Sequence, residues 1–197
     1  MYESNSLKDD LRVSLTMARD LFDERRGFVG FGVAELFSPE GDRLQAVHFT
    51  NLITDAGDLY AAQAIIRGVG PANPGAPSPG VPNGMKLGTG TTAVAKNGAG
   101  AALVTYLSGS NVAFDASYAQ TSNLGAGLGV TSVFKTTWAA GVATNAALAE
   151  VAIVNDQATN ATSTAGNTYA RSVFGSTINK GASDTLAVTW AWKSLGA

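Results

Sequence analysis

The chain has 197 residues, 13 basic and 15 acidic side chains, a formal net charge of −2, one histidine and no cysteine. Disulfides and thiolate metal sites are excluded, one histidine cannot supply a His-pair metal motif, and so balanced a charge does not suit a polyanion-binding surface. The length fits one substantial core, and nucleic acid is not an expected partner.

Charge is unevenly spread. Residues 1–68 carry seven basic and eleven acidic side chains, and residues 69–197 only six and four. The long second part is built of Ala, Gly, Thr, Ser, Asn and Val, and charge depletion of this kind is a trait of surfaces buried against other subunits. The opening stretch "MYESNSLKDDLRVSLTMARD" has neither the cationic start nor the apolar run of a signal peptide. No run approaches the roughly 20 apolar residues of a membrane span, so the reading is a soluble chain with no membrane partner.

Ser6 and Asp9 form a Ser-x-x-Asp start, after which Leu7, Leu11, Leu15, Ala18 and Phe22 recur at helical spacing up to Arg25, Arg26 and Gly27. The spacing predicts an amphipathic helical arm over residues 1–26, whose apolar face (Leu7, Leu11, Leu15, Phe22) lies on its own domain or docks on a neighbour. Residues 27–197 form the main domain. "GFVGFGVAELF", "SPEGDR" and "LQAVHFTNLI" read as strand, turn and strand. Pro39 and Gly41 shape the turn, and Leu44, Ala46 and His48 lie opposite in face to Gln45, Val47 and Phe49.

"TDAGDLYAAQAIIRG" reads as a short helix capped by Thr54 or Asp55, with Leu59, Ala62, Ile65 and Ile66 inward. The loop over 69–84 holds Pro71, Pro74, Pro77, Pro79 and Pro82 with four glycines, which forbids helix interior and central strand. It is read as an excursion or as a strap laid along a partner. Beyond it the alternation is that of strands. Phe134, Thr136 and Trp138 share a face, Ala149, Val151 and Ile153 oppose Glu150, Ala152 and Val154, and Leu186, Val188, Trp190 and Trp192 point one way from a final strand after the "NKGASD" turn. The pattern predicts a mainly β chain, an antiparallel sandwich of jelly-roll-like type.

Few residues suggest chemistry. The run Gly88-Thr89-Gly90-Thr91-Thr92 looks like a phosphate loop, but Lys86 precedes the glycines and Asn97 follows Lys96, so a tight strand connection is expected there. His48 reads as a sheet or interface histidine. Asp55 and Asp58 read as helix-start carboxylates, Glu150 and Asp156 flank a strand without forming a cleft pair, and "NDQATNATST" lacks an EF-hand pattern. Asn160-Ala161-Thr162 is formally a sequon. Trp138, Trp190 and Trp192 read as core rather than a sugar-stacking platform. No cofactor is implied.

Three segments in order, "FTNLITDAGDLYAAQAI", "MKLGTGTTAVAKNGAGAAL" and "ARSVFGSTINKGASDTLAVTWAW", resemble structural proteins of tailed bacteriophages, especially those of actinobacteria. The resemblance runs from about residue 49 to the C-terminal end and rests on backbone motifs such as Asn51–Gly57, Leu87–Thr92 and Ile178–Gly181. It implies a non-enzymatic virion protein and carries over no catalytic residue. The expected role is a capsid decoration or cement subunit that binds the major capsid protein and itself, as a trimer for example, and resides in the virion. A neck, tail or fibre component or a receptor- or carbohydrate-binding module is the alternative. The arm and the Pro/Gly strap are the expected docking elements.

Overall fold

The computed structural model describes residues 28–66, 80–123 and 129–194. The predicted arm lies outside these residues, as does most of the strap. Nine strands follow one another among the described residues: β1 (Phe28–Phe37), β2 (Arg43–Ile53), β3 (Gly84–Gly88), β4 (Val112–Ala113), β5 (Gln120–Asn123), β6 (Val130–Trp138), β7 (Asn145–Val154), β8 (Thr168–Lys180) and β9 (Thr185–Ser194). The helix α1 (Asp55–Ile66) follows β2, and a 3-10 turn spans Gly98–Ala101.

Alternation and turn chemistry account for the long strands. In the β1–β2 hairpin Gly41 takes φ 90° and the Ser38 hydroxyl accepts from the Glu40 and Asp42 amides at 3.2 and 3.3 Å. A Cβ at that φ would be strained, so glycine is the residue that lets the chain reverse there. At the β8–β9 turn the Asp184 carboxylate accepts from the Gly181 amide at 2.8 Å. In β2, Val47 and Phe49 are buried while Leu44, Ala46 and His48 are exposed, and in β6 Phe134, Thr136 and Trp138 are buried, as the period of two requires.

All nine strands belong to one antiparallel sheet in the order β4-β3-β7-β8-β2-β1-β9-β6-β5. A sandwich of two separate sheets was expected, and the difference lies between β2 and β8. Their backbones pair only at Leu52↔Arg171 and Ile53↔Ala170. Farther along, side chains take over, Ser172 Oγ donating to the Thr50 carbonyl at 2.8 Å and Gln45 Nε2 to the Thr177 carbonyl at 3.1 Å. The sheet curls about this narrow junction and its two halves share one core.

That core contains Leu36, Phe49, Met85, Leu87, Trp138, Val151, Ile153, Tyr169, Phe174, Ile178, Leu186, Trp190 and Trp192. Trp138 and Trp190 are fully buried, and the Phe49 ring meets the Trp190 indole edge-on at 5.0 Å. Each such side chain contributes roughly 1.5–3 kcal/mol on burial. Curling brings the far ends of the sheet together. The Phe114 and Phe134 rings lie 5.3 Å apart, the Asp115 amide donates to the Lys135 carbonyl at 2.8 Å, and Trp138 Nε1 donates to the Ser110 carbonyl at 2.7 Å.

Helix α1 is capped as expected, the Gly57 amide donating to Thr54 Oγ1 at 3.2 Å. Part of its inward face differs from the one read from the sequence, the side chains of Ile65 and Ile66 lying outside the described residues. Leu59 and Ala62 are exposed, whereas Ala56 and Tyr60 pack on the core. A Cβ at Gly57 would stand 2.2 Å from the Tyr169 carbonyl oxygen, so the helix approaches β8 through a residue without a side chain. That contact turns Leu59 outward.

Candidate functional site

The expectation for Glu150, Ala152 and Val154 was one face of a half-buried strand. Strand β7 is instead buried on both faces from Leu148 to Val154. Its inner face joins the core, and its outer face is covered by the Gly/Thr/Ala run. Leu103 and Tyr106 pack there on Ala152 and Val154.

At the centre of this cover stand two fully buried charges. Arg171 Nη2 and Nε reach Glu150 Oε2 at 2.7 and 2.9 Å. The remaining capacity of both groups goes to the loop. Glu150 Oε1 accepts from the Gly90 and Thr105 amides at 3.0 and 2.8 Å, and Oε2 from the Val104 amide at 3.1 Å. Arg171 donates to the carbonyls of Thr92 at 2.9 Å and Gly100 at 3.0 Å. A buried ion pair is tolerable only when such bonds satisfy both partners.

The glycines of the run now have a reason. A Cβ at Gly88 would lie 2.4 Å from the Thr105 carbonyl oxygen, and one at Gly90 would lie 2.6 Å from Glu150 Oε1. The loop that resembles a phosphate cradle holds an anion of its own chain, a carboxylate from the neighbouring strand. With both oxygens occupied and no exposure, Glu150 cannot reach a substrate.

A second ionic contact lies at the end of β7. The Lys86 ammonium is buried, 2.9 Å from Asp156 Oδ1 and 2.9 Å from the Ala161 carbonyl oxygen, and stands 5.7 Å from the Tyr106 ring centroid. Burial pushes the Tyr106 phenol above its ordinary value of 10.0, against the pull of its contacts with Gly109 and Ser110, and the Asp156 charge adds to the rise. Around it the loop is held by its own amides. Asn160 Oδ1 accepts from the Tyr106 hydroxyl at 2.8 Å and the Gly109 amide at 2.7 Å, and Asn111 and Gln157 exchange bonds to each other's backbone. The third buried cation, Lys180, donates to the carbonyls of Asp184 at 2.7 Å and Ala139 at 3.1 Å. Burial draws its pKa below the ordinary 10.5, with Asp184 opposing the shift.

Among the expected docking residues, Leu7, Leu11, Leu15, Phe22, Pro71, Pro74, Pro77 and Pro79 lie outside the described residues. Pro82 is described and is buried against its own domain. The reason is anchoring on both sides. The Gly80 carbonyl accepts from the Tyr169 hydroxyl, and the Asn83 amide donates to the Val154 carbonyl at 2.9 Å.

Asp58 pairs with Lys96 and Asp55 accepts from Asn97 Nδ2 at 3.1 Å, so both helix-start carboxylates tie α1 to the loop. His48 is exposed on β2. Trp138, Trp190 and Trp192 are buried and present no stacking face to solvent. Among the described residues no three His, Asp or Glu side chains gather as metal ligands, and no helix is long and apolar enough to cross a membrane.

Sequence reading missed the Glu150–Arg171 pair, although each is the lone charge in a strand-like stretch, "LAEVAIV" and "TYARSVF". Lone opposite charges in two core strands are the signal that points to it. No protein-family model, no curated protein and no solved structure matches the chain.

Proposed function

We propose that the chain is a non-enzymatic structural subunit of a tailed-phage virion. Its role is that of a capsid decoration or cement subunit, bound to the major capsid protein lattice and to copies of itself. The curled-sheet β domain is the body of that subunit and residues 1–26 are its docking arm. The assignment to a phage particle rests on the three ordered segments that resemble such proteins.

The observation that carries the structural role is the use of the buried ionic groups. Glu150, Arg171, Lys86 and Lys180 are spent on backbone amides and carbonyls, fixing loops across the curled sheet. Such a body suits a subunit that acts by adding buried area. A specific interface buries about 1,600 Å² in total, and repetition around a closed lattice multiplies even a weak contact.

The test is the copy number of the chain per purified virion, by quantitative mass spectrometry against the major capsid protein. Copies on the order of hundreds support cementing of the shell. Roughly a few dozen or fewer would move the subunit to the neck, tail or fibre.

A further inference from the structure

Asn-Gly occurs twice in the chain, at Asn83-Gly84 and Asn97-Gly98. An asparagine followed by glycine can modify itself: the next backbone nitrogen attacks the side-chain Cγ, a five-membered imide closes and ammonia leaves. Glycine favours the step because no Cβ shields its nitrogen and its backbone torsions turn easily. In a folded chain, closure depends on how free the side-chain amide and the following peptide are, and the two sites differ in both.

Asn83 is locked. Its Nδ2 donates to the Asn155 carbonyl at 2.7 Å, its Oδ1 accepts from the Gln157 amide at 3.1 Å, and its own amide donates to the Val154 carbonyl at 2.9 Å. Gly84 is buried in β3 between Val154 and Ala113, with Gln157 Cγ and the Val112 carbonyl oxygen each 2.4 Å from where a Cβ would stand. Ring closure there requires the strands to part.

Asn97 is exposed, as are Gly98 and Ala99 beyond it. Its backbone is extended, at φ −143° and ψ 179°, and its side chain caps no amide. Its Nδ2 donates to Asp55 Oδ2 at 3.1 Å, at the surface. Gly98 stands at φ 67° with nothing within 4 Å of its Cβ position, so this peptide has room to rotate toward the side chain.

We propose that Asn97-Gly98 is a self-modification site whose conversion unties α1 from the loop over Glu150. The Gly98 nitrogen bonds to Asn97 Cγ, the Cγ–Nδ2 bond breaks, and Nδ2 departs as ammonia with the proton that Gly98 gives up. Water then opens the imide at either carbonyl, yielding aspartate or an isoaspartate in which the chain runs through Cγ. Either product loses the donor to Asp55 and adds a negative charge beside it. Asp55 and Asp58 are the side chains that hold α1 to residues 96 and 97, so repulsion replaces one of these two ties. The inference concerns the folded chain alone and stands apart from the virion reading.

The full chain is kept for weeks at physiological temperature, near neutral and at mildly alkaline pH. Trypsin cuts after Lys86 and Lys96, which places the two asparagines in separate peptides, and mass spectrometry reads the amide-to-acid conversion of each. In the folded chain Asn97 is expected to convert at least about tenfold faster than Asn83, with aspartate and isoaspartate both formed and the rate higher at alkaline pH. In urea the two sites should convert alike. An Asn97 that stays an amide in the folded chain while converting in urea overturns the proposal, as does equal conversion of both sites in the folded chain. Aspartate without isoaspartate excludes the imide.

The variant Asn97→Asp supplies the charge directly. Its α1 amides should exchange hydrogen about two- to fivefold faster than those of wild type, an increase that high salt suppresses. Exchange equal to that of wild type overturns the untying.

Discussion

Glu150 and Arg171 form a fully buried ion pair at 2.7 Å, and between them they bind the loop over residues 88–105 at five backbone groups besides a longer contact to Ala93. Neither charge has water to fall back on. Glu150→Ala should therefore destabilise the fold by about 3–5 kcal/mol, and Arg171→Met similarly, because each leaves the other charge buried alone. The double variant Glu150→Met/Arg171→Met should cost markedly less than the sum of the two. Urea denaturation of the four chains gives the coupling directly.

Gly88 and Gly90 are predicted to be intolerant for a steric reason. Gly88→Ala and Gly90→Ala push a methyl group into the Thr105 carbonyl and the Glu150 carboxylate and should each cost about 1–3 kcal/mol. Gly98, at φ 67° with open space around it, serves as the control, and Gly98→Ala should cost about 1 kcal/mol. Midpoints of chemical denaturation would separate crowding from backbone strain.

Trp138 carries both packing and a bond. Trp138→Phe keeps much of the aromatic volume but leaves the Ser110 carbonyl without its indole donor, at an expected cost of about 1–3 kcal/mol plus the lost packing. The loss should appear in thermal unfolding and as a reduced near-ultraviolet circular dichroism signal.

Lys180 should leave a mark on the alkaline side. Burial lowers its folded pKa, so between that value and 10.5 the unfolded chain holds a proton that the folded chain has released. Stability from this group therefore rises with pH through the window and is lost as pH falls through the folded value. Relative to Lys180→Met, the wild type should gain stability as pH is raised toward 10.5. Tyr106 acts in the opposite sense. Its raised pKa gives stability that is fully present below 10.0 and lost at higher pH, and Tyr106→Phe should remove that decline.

Removal of residues 1–26 tests the docking arm. The truncated chain is expected to keep the strand-rich circular dichroism spectrum of the β domain while losing incorporation into particles. Unchanged incorporation, read by mass spectrometry of purified virions, would eliminate the arm as the docking element.

The legible parts of the fold are those in which one side of a strand faces apolar neighbours and the other faces solvent. That condition holds for β2 and β6, and for the core face of β9, whose Leu186, Val188, Trp190 and Trp192 all enter the core. It fails on β7, where the cover on the outer face is an aperiodic coil whose position depends on one carboxylate and three amides. No periodicity could reveal it.

Helix α1 was misread for a related reason, since Gly57 sets its approach to β8 and glycine contributes nothing to an apolar stripe. The strands β4 and β5 are too short to show a pattern and exist because β3 and β6 offer them partners. The burial of Lys86 and Lys180 was equally hidden, because each also needs a carbonyl distant in sequence, that of Ala161 for Lys86 and that of Ala139 for Lys180.

The hydroxyl of Ser110 bears on how the rim of the sheet is finished. By occupying both polar groups of Leu87 it closes the part of β3 that the two-residue strand β4 leaves uncovered, where another protein would need a longer strand. A wholly buried strand can thereby lie one place from the end of a sheet with its amide and carbonyl at Leu87 satisfied.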